Sequence, residues 1–490
     1  MSKGHRKLHA SGAYLVGIDV GTTSVKVALF DGEGGVVASH ASPVTTSRRR
    51  PGWVEQAPDE WARAVVAGLA AVLAKVAVDS VAAIGLCSQV NTHVFVGADG
   101  QPLAPAIVWQ DGRADELAAR LHARVPEAQR LAWWGAPLPI DASHVLPRMA
   151  WMARAEPKIW GRTRWVMAPK DFCLMKLTGE VFADPLSSFG VVDASLRYIP
   201  DLVALVPGAA ERLPQLGGIA EVVGPVREGL PGAGLPVANT TMDAWTGMLG
   251  AGAAGEGSGA YLSGTSEVGG IVSQRRIPTP GVIVFPECEG ITQHLAPTQA
   301  GGASVAWLAA VLGRSAGDIS ALAAKSDPAR RSPIFLPHLE GERAPLWDIN
   351  ARASFAGVDG SMGAPELARA VLEGVAYSVR LLMSSLEASA GVVPDRLRHA
   401  GGGARSDVWC QIRADALGKP IDRAACLDSG LAGGAMLAGF GVGRFGSLAE
   451  AAAQVSRVER TFEPDPARKA MHDEGFGRYN ELYRRLKGFG

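Results

Sequence analysis

One local pattern occurs twice, and it constrains this chain more than any other feature. Tyr14 to Asp31 reads YLVGIDVGTTSVKVALFD, in which Leu15–Val20 and Val25–Phe30 flank the polar turn Gly21-Thr22-Thr23-Ser24. Val, Ile and Phe suit a pleated surface, and Gly beside small hydroxyl residues suits a turn, so the spacing predicts a β-hairpin. Far along the chain, Gly259-Ala260-Tyr261-Leu262-Ser263-Gly264-Thr265-Ser266 followed by Glu267–Val272 repeats strand, hydroxyl-rich turn and strand. Two such hairpins predict two duplicated α/β domains around a central cleft. A length of 490 residues agrees, being too great for one ordinary core. The expected division is a disordered leader over 1–12, an N-terminal domain over 13–248 and a C-terminal domain over 249–490, with the crossing in the Gly/Ala-rich stretch from Gly247 to Gly259. The leader, MSKGHRKLHASG, has basic residues but no apolar signal core after them.

A hairpin tip of this kind can cradle phosphate. Its N–H groups and hydroxyls donate, and Gly lets the backbone approach closely. Asp19, just before the turn, has the chemistry to hold a hydrated Mg²⁺, which takes only one or two carboxylates. Lys26, just after it, reads equally as a phosphate partner or a solvent-facing strand residue. An ordinary hairpin with a polar turn is the alternative. No Walker A pattern occurs, and a strand rather than a helix follows the turn.

Composition excludes several classes. The 48 basic and 48 acidic residues cancel, so no nucleic-acid or membrane field shows in the balance. The short Arg runs (Arg48–Arg50; Arg330, Arg331) read as solvated loops, and no apolar run reaches the length of a membrane span. The cysteines, Cys87, Cys173, Cys288, Cys410 and Cys426, are odd in number, scattered and without a CxxC. That argues against a disulfide framework or zinc site and for a reducing, cytoplasmic setting.

Along the chain, Pro58 with Asp59 and Glu60 opens a helix whose stripe is Trp61, Val65, Leu69, Val72 and Val76. Val81–Leu86 reads as a buried strand that runs out at the polar segment Cys87-Ser88-Gln89-Val90-Asn91-Thr92-His93, and strand ends are where open α/β sheets bind ligands. Ala106–Trp109 is a short strand leading to Gln110-Asp111-Gly112-Arg113. A strand at Val237–Ala238 ends at Asn239-Thr240-Thr241-Met242-Asp243, where Asp243 by itself reads as a helix N-cap. Gly302 opens a helix, and a long amphipathic helix follows Pro365. The run Gly401-Gly402-Gly403-Ala404-Arg405-Ser406 is either a flexible turn or a nucleotide site, with Ser406 a good N-cap and Gly418 the helix stop. Gly430–Gly443 reads as a helix small-surfaced enough for close packing.

Taken in order, these segments resemble the FGGY carbohydrate kinases, within the actin/hexokinase-like (ribonuclease H-like) superfamily. The likeness rests on Asp-x-Gly-Thr-Thr-Ser-x-Lys from Asp19 to Lys26, Gly52-Trp53-Val54-Glu55-Gln56, Trp109-Gln110-Asp111-Gly112-Arg113 and Pro169-Lys170-Asp171 with Leu177-Thr178-Gly179-Glu180. It continues through Ser263-Gly264-Thr265-Ser266, Leu336-Pro337 with Gly341-Glu342-Arg343, and Gly401 to Ser406 with Trp409 and Gln411, so it spans nearly the whole chain. The resemblance implies ATP-dependent phosphorylation of a sugar or polyol hydroxyl, with Asp243 as general base and Asp19 as the Mg²⁺ carboxylate. It implies nucleotide contacts from Gly21, Thr22, Thr23, Ser24, Lys26, Gly264, Thr265, Gly302, Gly402, Gly403 and Arg405. It places the acceptor against Gln89, Val90, Asn91, Trp109, Asp111 and Asp243.

Acceptor identity is where the patterns part. Xylulose kinases typically carry Gln-Met-His where this chain has Gln89-Val90-Asn91, and Asn where it has Ala244; glycerol kinases carry Gln-Arg-Glu at the first site. The resemblance therefore implies a pentulose or short polyol, with xylulose leading and erythritol, ribulose, L-xylulose or glycerol as alternatives. An actin-like ATPase without a sugar substrate is the reading from a different class. A small-molecule acceptor is the expected partner, with no nucleic acid or membrane, and a homodimer by analogy with relatives.

Overall fold

The structure is a computed structural model, and it describes residues 12–327 and 331–489. The first eleven residues of the expected leader, and Arg330, lie outside the described residues. By packing, the chain divides into two units. Unit one is the chain up to Gly250 with Phe285–Gly290 and Gly430–Val455; unit two is Ala251–Val284, Ile291–Ser429 and the chain from Ser456. Two short stretches of the second half thus pack with the first unit.

In unit one the expected hairpin is β1 (Tyr14–Val20) and β2 (Ser24–Phe30), antiparallel, with β3 (Val36–Pro43) completing a meander. β1 also pairs in parallel with β4 (Val81–Ser88), and β4 with β6 (Pro236–Met242), whose outer neighbour is β5 (Val222–Pro225). The sheet order is β5-β6-β4-β1-β2-β3. Helix α1 (Pro58–Leu73) starts at its proline as expected and buries Trp61, Val65, Leu69 and Val72 against Val27 and Leu29 in the core. Val76 falls beyond the helix and is only partly buried, because the chain already turns at Ala74. The Trp-rich stretch forms helices Glu127–Trp134, Val145–Ala155 and Pro157–Arg162 around a second cluster with Phe95, Trp134, Leu146 and Met149.

The small-residue helix is Ser429–Gly441, and its smallness has a measurable reason. A Cβ on Gly17 of β1 would lie 1.9 Å from the carbonyl oxygen of Leu431, and one on Gly85 of β4 would lie 2.1 Å from that of Gly434. The helix backbone rests on the sheet backbone, which only glycine permits.

Unit two repeats the plan. β7 (Gly259–Ser263) and β8 (Glu267–Val272) form the second hairpin. Strands β9 (Ile283–Val284) and β10 (Gln293–Thr298) follow, then β11 (Leu397–Gly401) and β12 (Ile421–Ala424) in parallel, and β13 (Val458–Phe462) at the edge. The order is β9-β10-β8-β7-β11-β12-β13. In both sheets an antiparallel hairpin donates its first strand to a parallel run, so the duplication read from the two hairpins extends to whole sheets. The helix after Gly363 runs Ala364–Ala390 and is buried on every side from Ala368 to Val379, more than an amphipathic stripe requires. It tolerates this because Arg369 and Glu373 pair at 2.7 Å inside the core.

Candidate active site

In unit one the candidate side chains gather at the carboxyl ends of β1, β4 and β6. β1 ends at Asp19-Val20 and turns through Gly21–Ser24, closed by Gly21 N–H donating to the Ser24 carbonyl at 3.1 Å. Lys26 lies directly across the ladder from Asp19. β6 ends at Met242, and Asp243 begins the helix Asp243–Ala251 with its carboxylate accepting from the Ala244 N–H at 2.8 Å. The helix starts at Asp243 itself, and its side chain closes on the N–H of the next residue rather than capping from outside the helix. Burial, and next the charge of Asp19, push the Asp243 carboxyl up to about 7. A carboxyl poised near neutrality suits a general base.

The two carboxylates are the charged donor set available to a divalent cation. The charges of both act on a shared neighbour. Cys87 at the end of β4 is buried, and its thiol is pushed up by burial, then by the charges of Asp19 and Asp243. A Cβ on Gly430 would lie 3.4 Å from Asp19 Oδ2 and 3.2 Å from Cys87 Sγ, so a side chain there would crowd both groups. Among the described residues no group of three or more metal-ligating side chains assembles, and hydrated Mg²⁺ needs only one or two.

The acceptor-side residues divide into two kinds. Val90 and Asn91 sit half-buried on the loop after β4, and Asn91 adopts φ 54°, left-handed backbone that Asn tolerates. The loop is held from behind by Arg148, a fully buried guanidinium that donates to the carbonyls of Asn91, Ile107 (3.0 Å) and Val108 (2.7 Å) and is pushed down by burial to about 9. Trp109 presents a half-buried ring, with its Nε1–H donating to Thr22 Oγ1 at 3.1 Å. Gln89 and Asp111 are buried, and protein groups use their polar atoms. Asp111 accepts from the N–H of Val54 and from the N–H, Nε and Nη2 of Arg113, at 2.5–2.9 Å. Arg113 in turn stacks 3.7 Å over Trp53 and pairs with Glu55 at 2.9 Å, which joins two of the sequence motifs. Gln89 accepts from Thr22 and Thr92 and donates to Gln56.

In unit two Gly264 and Thr265 are exposed at the tip of β7–β8. Helix Gly302–Val311 docks its first turn on that tip: Gly302 N–H donates to the Gly264 carbonyl and Ala303 N–H to that of Thr265, both at 2.9 Å. Gly402 and Arg405 are exposed, and Gly403 half-buried, on a short turn after β11. A Cβ on Gly401, where φ is +92°, would lie 2.3 Å from the Ser263 carbonyl oxygen, so this turn packs on the hairpin's last strand residue. Ser406 caps the next helix, Asp407–Leu417, through the Trp409 N–H at 3.1 Å, and Gly418 ends it. These glycine-lined, N–H-bearing turns fit the polyphosphate and sugar of a nucleotide.

Sequence reasoning missed the support beneath these turns. Arg413, fully buried, pairs with Glu267 and donates to Ser263 Oγ at 2.5 Å and to His399 Nε2 at 2.6 Å. Burial, with Arg413 beside it, holds His399 far below its ordinary value and hence neutral, so it accepts. His399 stacks on Tyr261 at 4.2 Å. Arg148 was equally invisible; neither arginine stands in a pattern with a chemical meaning of its own.

Comparison with known proteins agrees with this geometry. The N-terminal domain model of the FGGY family of carbohydrate kinases matches residues 14–250, and the C-terminal domain model matches 259–442. A xylulose kinase of Escherichia coli is 32% identical over 96% of this chain and 99% of its own length. A glycerol kinase of a Geobacter species is 31% identical, over 94% and 96%. The crystal structure of xylulose kinase from Rhodospirillum rubrum superposes with a TM-score of 0.85 at 29% identity, covering 97% of this chain and 99% of that one.

Proposed function

Given that the chain belongs to the FGGY family of carbohydrate kinases, we propose that it transfers the γ-phosphoryl group of ATP to a hydroxyl of a pentulose, xylulose in the first instance. Asp243 is the general base. The observation that carries this role is its placement at the end of β6, partly exposed, with its carboxyl raised to about 7 by burial and Asp19. It accepts the acceptor's hydroxyl proton as the new O–P bond forms. Asp19 would hold hydrated Mg²⁺, which when bound neutralises developing phosphate charge. Thr23 and Ser24 present hydroxyls to the phosphates, and Thr22 contributes through the backbone of the turn. Gly264, Thr265, Gly302, Gly402, Gly403 and Arg405 hold the rest of the nucleotide.

For the acceptor, Trp109 offers an indole face to an apolar sugar edge, and Val90 and Asn91 line the loop beside it. Asn91 supplies the exchangeable hydrogen-bonding group that selects among acceptors. The occupied polar atoms of Gln89 and Asp111 support a holding role for both. The glycerol kinase among the relatives favours a second reading, a short polyol acceptor. A coupled ADP-release assay with Mg-ATP against D- and L-ketopentoses, tetritols, pentitols and glycerol separates the two. A clear lead for xylulose supports the first reading, and a lead for glycerol or a tetritol replaces it.

A further inference from the structure

No residue of the motif Gly52–Gln56 carries a chemical role above, yet its last member reaches both sides of the unit-one site. Gln56 is 2% exposed. Its Nε2 donates to the Thr22 carbonyl at 2.6 Å and to Thr46 Oγ1 at 2.8 Å, and its Oε1 accepts from Gln89 Nε2 at 2.9 Å. Gln89 Oε1 accepts from the hydroxyls of Thr22 and Thr92, both at 3.1 Å. Thr22 Oγ1 accepts from the Trp109 indole at 3.1 Å, and Thr92 Oγ1 accepts from the Trp109 N–H at 3.2 Å.

These bonds close a ring whose directions are all determined. A backbone carbonyl can only accept, so Gln56 Nε2 must donate to the Thr22 carbonyl, and Gln56 Oε1 then faces Gln89. That turns the Gln89 amide nitrogen toward Gln56 Oε1 and its oxygen toward Thr22 and Thr92, whose hydroxyls donate to it while Thr22 Oγ1 accepts from the indole. A satisfied buried network of this kind specifies one arrangement, because any flipped amide would face donor to donor or acceptor to acceptor.

We propose that Gln56 is a positioning residue for phosphoryl transfer: through Gln89 and Thr22 it locks the phosphate-side turn Gly21–Thr22 to the acceptor-side Trp109 ring and the Gln89–Thr92 loop. The proposal rests on the kinase reading above for what the two sides bind, but the ring itself does not. Its effect is on register between donor and acceptor, where a displacement of about 1 Å costs up to roughly a hundredfold in rate.

The test is Gln56→Met, which keeps shape and removes the hydrogen bonds, with Gln89→Met and the double variant. In the assay above, Gln56→Met should lower kcat by about tenfold to a hundredfold. KM for acceptor and ATP should stay within about threefold, as Gln56 touches neither. The double variant should be no worse than about threefold beyond the poorer single one, since both break one ring. An unchanged kcat per folded molecule, a rise in KM alone, or additive losses would overturn the proposal. Hydrogen exchange gives a second arm that needs no turnover. The amides of Gly21, Gln89 and His93, bonded to the carbonyls of Ser24, Val20 and Ile107, should exchange faster in Gln56→Met at both the turn and the loop. Protection unchanged at either would refute the coupling. A native protein that phosphorylates no acceptor would instead defeat the kinase reading, and the exchange result would still decide the ring.

Discussion

The two hairpin turns have the same topology and different support. In unit one the turn between β1 and β2 is held by neutral hydrogen bonds among Thr22, Gln56, Gln89 and Trp109. In unit two the turn between β7 and β8 stands over a buried ion pair, Arg413 with Glu267, and is crowded by backbone from Gly301, Gly302 and Gly401. The ladder positions held by Asp19 and Lys26 in unit one correspond to Leu262 and Val268 in unit two, counting from the residues that flank each turn. One hairpin therefore carries a carboxylate where the other carries a half-buried aliphatic residue. The bonds that tie the first turn to its neighbours join neutral groups, whereas the charges beneath the second turn are buried and paired.

The largest test of that contrast is Asp243→Ala. Turnover should fall by about 10²- to 10⁴-fold while ATP binding, measured by calorimetry, survives. Unchanged activity would remove the base from unit one. The buried pair comes next. Glu267→Gln strands a guanidinium and should cost about 3–5 kcal/mol of stability in denaturant unfolding. The double change Glu267→Leu with Arg413→Leu should cost less than that single one. Gln56→Met, which breaks only neutral bonds, should cost about 1–3 kcal/mol. Equal losses in the two units would erase the distinction.

A pH experiment sharpens it further. Asp243 is raised to about 7, so the folded chain binds its proton more tightly than the unfolded chain does. That adds stability at low pH which disappears as pH rises through about 7. Asp243→Asn is permanently neutral. In EDTA it should exceed the native protein by up to about 4 kcal/mol near pH 8, with the gap closing toward pH 4. A gap independent of pH would show that the carboxyl is not raised. The smallest effect belongs to Gly302→Ala. Its Cβ would lie 2.7 Å from the Gly264 carbonyl oxygen, so the second turn must shift. KM for ATP should rise by about tenfold, with acceptor KM unchanged.

Much of this protein was legible in its residues because the determinants are local. Alternating Val, Ile and Leu around Gly-Thr-Thr-Ser specify a hairpin wherever they occur. Pro58 and Ser406 start helices, and Gly418 stops one at φ 65°, through contacts within a single turn. The order of short motifs carried the family, and with it the proposed roles of Asp19 and Asp243. Tertiary structure alone decided which polar groups remain for ligands. Gln89 and Asp111 stand in motifs on the acceptor side, yet Thr22, Gln56, Val54 and Arg113 use their polar atoms. No local signal marks Arg148 or Arg413 as buried props, since their partners lie up to 150 residues away in sequence. A side chain's type states what it can bond; only the packed chain states which partner reaches it first, because hydrogen-bond capacity is finite and spent on whatever the fold brings within 3 Å or so.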